Sequence, residues 1–168
     1  MAKLVVLKGD PVTGTDTHKV KGFGPNPSAP PPEVVFAGTG DFKYKGSVTD
    51  QLSDFVTVNG TPLALVTSKS SLDPGEKDTG GGHNGASGAK YTPDDQSAAT
   101  TPTVDARLKI TDGLDPGLPN SGAGSLLLTV GGVKALLDAD KIDTCGPNHQ
   151  TANSLVAATG QDFVRCGS

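Results

Sequence analysis

Glycine and proline punctuate this chain too densely for long helices. Its 168 residues include 23 Gly and 13 Pro. A helix-interior Gly costs about 1 kcal/mol and a Pro about 3, and the residue before each proline is pushed toward extended geometry. The architecture that remains is all-β, built from short strands, hairpins and long Gly/Pro-rich loops. Its core is thin, because the chain has no Trp and only five Phe and two Tyr to act as large anchors. A formal net charge of only −4 still places it among folded chains rather than highly charged disordered ones. Length and the absence of a dividing linker predict one domain over 1–168.

Charge and hydropathy narrow the function classes. A pI near 5.2 argues against nucleic acid as a partner. Lys19, Lys21, Lys43 and Lys45 make the one modest basic grouping and read as solvated strand faces. Met1-Ala2-Lys3 leads into an apolar run of only Leu4 to Leu7 before Lys8, which is no secretory signal. The longest apolar stretch, Leu126 to Leu137, contains two glycines and a lysine and falls short of the roughly 20 residues a membrane span needs. The expectation is synthesis in the cytoplasm and, for an exported protein, release by an unconventional route.

Strand signals mark Lys3 to Leu7, Val34 to Phe36, Asp41 to Val48, Asp54 to Gly60, Val104 to Ile110, Ser125 to Asp138 and Phe163 to Arg165. Gly9-Asp10-Pro11 reads as a turn, and Gly14 to His18 runs on without helical period. The segment Gly24 to Pro32 reads as an extended covering loop. Residues 68–103 read as a polar, Gly-rich insertion, too long to be a routine connection. Thr57-Val58-Asn59-Gly60-Thr61-Pro62-Leu63-Ala64-Leu65 aligns with Thr129-Val130-Gly131-Gly132-Val133-Lys134-Ala135-Leu136-Leu137, which predicts two similar hairpins.

All three histidines sit in turn-like, Gly-rich contexts. Cys145 and His149 are separated by three residues across a Gly-Pro turn, a spacing that structural zinc sites use. Adding His18 and His83 completes four ligands, enough to close a tetrahedron without an open position for a catalytic water. A core-poor chain gains roughly 10 kcal/mol of folding free energy from such an ion. The bland reading is surface histidines beside a buried thiol. Cys166 is a disulfide partner for Cys145, a substitute ligand or a small buried residue. Enzyme signatures fail on particular residues. Gly85-Ala86-Ser87-Gly88-Ala89 has Ala89 where a nucleophile elbow needs Gly, and Gly80 to Gly85 is not followed by the Lys-Ser/Thr of a phosphate loop. Asp138 to Asp143 lacks the acid and Gly of a calcium loop.

Gly9-Asp10-Pro11-x-Thr13 with His18, followed by Val56-Thr57-Val58-Asn59-Gly60-Thr61-Pro62-Leu63-Ala64, resembles the proline-alanine-alanine-arginine (PAAR) repeat family. Leu128 to Lys134 and Cys145 to His149 are similar to the closing repeat and the Cys-plus-His end of that pattern. The chain departs from it at Thr61 to Leu65, which lacks the arginine and paired alanines. The resemblance implies a small β-rich cone, stapled by metal near its vertex, which caps the trimeric β-helical central spike of a contractile injection system, type VI secretion apparatus or phage-like tail. It implies a non-enzymatic role, one structural Zn2+ or Fe held by His18, His83, Cys145 and His149, and one tip per spike trimer. Cys166 is the substitute ligand in that reading. Delivery outside the cell, effector cargo and transient contact with a target envelope follow from the same resemblance. The competing expectation is a secreted or surface β-rich binding module.

Overall fold

The computed structural model describes residues 1–25, 33–72, 90–93, 109–112, 115–145 and 150–167. These residues are all-β, with no helix among them. The first half of the chain supplies β1 (Ala2–Leu4), β2 (Pro11–Pro25), β3 (Glu33–Asp50), β4 (Thr57–Val58), β5 (Thr61–Pro62), β6 (Lys69–Leu72) and β7 (Lys90–Pro93). The second half supplies β8 (Lys109–Ile110), β9 (Leu118–Pro119), β10 (Thr129–Val130), β11 (Val133–Lys134), β12 (Lys141–Thr144), β13 (Gln150–Val156) and β14 (Arg165–Gly167).

Three apolar tripeptides, Val5-Val6-Leu7, Leu63-Ala64-Leu65 and Ala135-Leu136-Leu137, meet around one axis, and every one of these residues is buried. Val5 bridges Leu137, Leu7 bridges Leu63, and Leu65 bridges Ala135. The central residues close a hydrogen-bonded cycle: Val6 N–H donates to Leu136 O at 3.0 Å, Leu136 to Ala64 O at 3.0 Å, and Ala64 to Val6 O at 2.9 Å. A second cycle surrounds it, from Lys8 to Pro62 O at 2.9 Å, Val66 to Lys134 O at 3.0 Å, and Asp138 to Leu4 O at 2.9 Å. Closure satisfies these buried backbone groups without leaving an open sheet edge in the core. The result is a pseudo-three-fold hub made from one chain.

The same local devices flank each tripeptide. Leu7, Leu65 and Leu137 donate their N–H groups to the side chains of Asp10, Ser68 and Asp140, three residues on, at 2.7, 2.9 and 2.8 Å. On the entry side Val56, Leu128 and Val164 donate to Ser53, Ser125 and Gln161 at 2.9, 3.0 and 2.6 Å. The hairpin β4–β5 precedes the second tripeptide and β10–β11 the third, so both aligned hairpins are present. Asn59 and Gly60 have φ of 51° and 80°, Gly131 and Gly132 58° and 84°, the left-handed pair that a two-residue hairpin turn demands. The hairpin before the first tripeptide is β14 paired antiparallel with β1, contributed by the two ends of the chain.

The hub divides the core into two layers. Val5, Leu7, Leu63, Leu65, Ala135 and Leu137 pack toward the hairpins with Val56, Leu128 and Val164. Val6, Ala64 and Leu136 face the other way, into a layer with Val12, Tyr44, Ile142, Cys145 and Val156. That second layer is enclosed by a sheet ordered β6-β3-β2-β13-β12-β9, with β7 on β3 and β8 on β2. Ser70 and Gly117 exchange two N–H···O bonds of 2.9 Å, which brings β6 back toward β9 and nearly closes the sheet. Its interior is narrow. Along the β2–β3 ladder four of the five inward rows pair a large side chain with a glycine, Val12 with Gly46, Tyr44 with Gly14, His18 with Gly40 and Val20 with Gly38, while the fifth pairs Asp16 with Phe42. Facing large with small residues is how a small barrel is filled. A Cβ on Gly14 would collide with Ser154 Oγ and the Asn153 carbonyl.

Several sequence expectations change. Pro11 to Pro25 is one continuous strand rather than a turn followed by an irregular run, because β3 pairs with it along its whole length. The strand expected over Asp54 to Gly60 contracts to Thr57–Val58, since Ser53 and Val56 are held in a turn. The insertion at 68–103 is not wholly irregular: β6 and β7 fall inside it and both pair with β3, while 73–89 lie outside the described residues. Of Val104 to Ile110 only β8 is described, and residues 26–32 of the proline-rich segment also lie outside.

Candidate metal centre

Strand β2 alternates strictly. Val12, Asp16, His18 and Val20 are buried, whereas Thr13, Thr15, Thr17 and Lys19 are exposed. The two-residue period of a strand therefore puts the Asp16 carboxylate and His18 imidazole on one inward face. Cys145 arrives from the end of β12 with φ of 35°, a left-handed turn that ends the strand. Asp16, His18 and Cys145 are each 0% exposed, and their donor atoms all lie within 4.8 Å of one another. Ligand atoms on a tetrahedral zinc stand about 3.5 Å apart, so small side-chain movements complete the approach.

The surrounding groups orient the donors. His18 Nδ1 lies 2.8 Å from Asp112 Oδ1, and Asp112 Oδ2 accepts the Lys19 N–H at 3.0 Å. A carboxylate only accepts, so Nδ1 donates to Asp112, and Nε2, 4.0 Å from Asp16 Oδ2, is the ring nitrogen that faces the cluster. This carboxylate–imidazole arrangement is the one that metal-ligating histidines use. Asp16 Oδ1 accepts the Thr144 hydroxyl at 2.5 Å and an Asn153 amide N–H. Thr144 Oγ1 also meets Ser154 Oγ at 2.9 Å, and Asn153 Oδ1 accepts the Thr144 N–H at 2.9 Å. Phe42 packs edge-on against the His18 ring at 5.9 Å between centroids.

Electrostatics favour a cation here. Burial pushes the Cys145 thiol well above its ordinary value, and the charge and hydrogen bonding of Asp16, then the charges of Asp115 and Asp112, push it further. A coordinated metal reverses that balance, because it stabilises the thiolate directly. Asp16, His18 and Cys145 thus form a buried oxygen, nitrogen and sulfur donor set that can hold a metal ion.

Of the ligands read from sequence, the structure brings His18 and Cys145 together. His83 and His149 lie outside the described residues. Cys166 sits on the hairpin side of the hub, packed against that layer with its sulfur 3.2 Å from Ser125 Oγ, and no disulfide joins it to Cys145. Asp16 was not among the expected ligands. The signal that finds it is the alternation Val12-x-Gly14-x-Asp16-x-His18-x-Val20, once the segment is read as a strand. The ribbon β2–β3 continues seven residues beyond His18, about 23 Å at the rise of a strand, so the centre lies partway along the ribbon. No protein-family model matches the chain, and no curated protein or solved structure matches it either.

Proposed function

We propose that this chain is a non-enzymatic structural tip that caps the trimeric β-helical spike of a contractile injection system or phage-like tail. The pseudo-three-fold hub carries the reading. Phe55, Leu127 and Phe163 occupy equivalent positions in its three repeats, each just before the residue whose N–H closes the entry turn, and are 73%, 78% and 57% exposed. Three large apolar side chains related by the same rotation are costly on an isolated surface and suit a partner whose own symmetry is three-fold. They lie on the hairpin side of the hub, opposite the metal centre, so docking and stapling are separate. In this reading a structural transition metal, zinc or iron, is held by Asp16, His18 and Cys145 where the narrow sheet has little apolar volume. Total burial of all three donors suits a structural ion rather than a catalytic one.

The test is copurification of the tagged chain with the particles of its native cells, followed by native mass measurement. One copy bound to three β-helical spike chains is expected, and a triple F55E/L127E/F163E variant should lose the spike while keeping its fold. Recovery of a glycan or receptor without spike chains, or three copies per spike, would overturn the assignment in favour of a binding module.

A further inference from the structure

The outward face of the β2–β3 ribbon carries a charge pattern that neither the hub nor the metal centre uses. Five rows of this face run, in register, Thr13 beside Lys45, Thr15 beside Lys43, Thr17 beside Asp41, Lys19 beside Thr39, and Lys21 beside Ala37. Lys19, Lys21, Lys43 and Lys45 are all exposed. Asp41 is the one acid in these rows, and it accepts the Thr17 hydroxyl at 2.7 Å. The face is thus strongly cationic in a chain whose net charge is −4.

A further feature sets it apart from an ordinary solvated strand. At the hub end, Thr13 is flanked in register by Leu155, which is 48% exposed, and Leu155 by Lys141, which is exposed as well. One row across four strands therefore reads Lys141, Leu155, Thr13, Lys45, an apolar residue framed by two lysines. Hydroxyls and ammonium groups interleaved on one strand face match phosphate oxygens, and an exposed leucine among them matches the boundary between headgroups and acyl chains.

We infer that this ribbon face is a docking surface for a bilayer rich in anionic phospholipid. The exposed Leu155 beside the lysines suits the acyl boundary of a bilayer, which a duplex does not offer, and the excess acid elsewhere on the chain opposes wrapping by a long polyanion. Each lysine near such a bilayer contributes about fivefold to binding, so removing two should weaken it about 25-fold. The inference does not depend on the tip assignment, since the face lies on the ribbon and its probe contains no spike protein.

The experiment is cosedimentation of the full chain with vesicles of phosphatidylcholine alone and of phosphatidylcholine mixed with phosphatidylglycerol. Binding to the mixed vesicles only is expected, with its loss at about 1 M salt, where the screening length is about 3 Å. K19Q/K43Q should weaken binding about 25-fold, K19R/K21R/K43R/K45R should keep it, and K134Q, on the β10–β11 hairpin, should bind as wild type. Equal binding to both vesicles, or undiminished binding by K19Q/K43Q, overturns the proposal. So does tighter association with soluble polyphosphate or duplex DNA than with vesicles at equal phosphate, which would make the face a general polyanion binder. A folded arginine variant that binds while the glutamine variant fails shows that charge, and not altered folding, is responsible.

Discussion

The two sides of the hub solve the same problem with different chemistry. On the hairpin side, three copies of one motif bury Leu7, Leu63, Leu65 and Leu137 against Val56, Leu128 and Val164, and apolar packing suffices. On the sheet side, successive inward positions of β2 are Val12, Gly14, Asp16 and His18, so packing gives way to hydroxyls, carboxylates and a thiol within a few residues. The difference follows from cross-section. A hub of three tripeptides has room for branched side chains, whereas a sheet that sets a glycine in four of its five inward β2–β3 rows has little, and polar groups in so narrow a space must bond to one another or to an ion. Symmetry supplies stability on the hairpin side, and directional chemistry supplies it on the sheet side.

The largest expected effect tests the proposed ion at Asp16, His18 and Cys145. A chelator, or either H18A or C145A, should cost about 4 kcal/mol when free metal stands at a thousand times its Kd. Hydrogen exchange should then quicken along Pro11–Pro25, while the amides of Val6, Ala64 and Leu136 stay protected. Uniform loss of protection in both regions would show that the hub and sheet are a single cooperative unit and that the contrast between them has no energetic meaning.

Alkaline titration of the chelated protein sharpens the same contrast. The folded state raises the Cys145 thiol above its ordinary value of 9.0, so it holds that proton more tightly than the unfolded chain does. Stability is therefore intact below that value and falls as pH rises through and beyond it. C145A should flatten the fall, and metal-loaded protein should not show it, because the ion favours thiolate. A chelated wild type whose melting temperature is level across this range would mean that the thiol is not held in an anionic, desolvated setting.

On the hub side Leu137→Ala should cost about 3 kcal/mol by removing a fully buried side chain from the hairpin-side layer. Metal affinity should change little, since Cys145 belongs to the layer on the other side of the hub. Urea unfolding and metal titration on one variant measure both quantities. A large loss of metal affinity would instead indicate that the hub sets the geometry of the centre.

Much of the hub was legible because two of its repeats are contiguous. Asn59-Gly60 and Gly131-Gly132 announce hairpin turns, and the tripeptides Leu63 to Leu65 and Ala135 to Leu137 follow at equal spacing. The third repeat escapes linear alignment because it begins at Gln161-Asp162-Phe163-Val164 and ends at Val5-Val6-Leu7, on opposite ends of the chain. Its counterpart Ser53-Asp54-Phe55-Val56 shows the likeness once the ends are joined. The candidate metal centre was half legible. His18 and Cys145 stand out by residue type, but Asp16 hides among Thr15 and Thr17 in a segment whose inward positions are Gly, Asp and His rather than apolar. Hydrophobic alternation fails as a strand signal where the interior is polar, and the pairing with β3 that reveals the strand is long-range.

The smallest effect on stability should accompany the largest effect on assembly. Phe55, Leu127 and Phe163 are exposed, so F55S, L127S and F163S should each alter unfolding free energy by no more than about 0.5 kcal/mol. Their loss from a three-fold interface is another matter, because each apolar anchor in a desolvated pocket contributes about 2 kcal/mol or more to binding. Symmetry adds a condition that ordinary hot spots do not meet: the three single variants should weaken spike binding by similar amounts, and the triple variant by roughly their product. Leu126 tests how strictly the rule holds. It replaces Asp54 and Asp162 at the equivalent position and is 72% exposed, so a perfectly symmetric partner meets the same pocket with an acid twice and a leucine once. L126D makes the three repeats alike. Unchanged capping in that variant, with graded loss in the serine series, is the outcome expected of a three-fold partner. Loss confined to F55S, with L127S and F163S silent, would reduce the pseudo-symmetry to a folding device and remove the main support for capping a trimer.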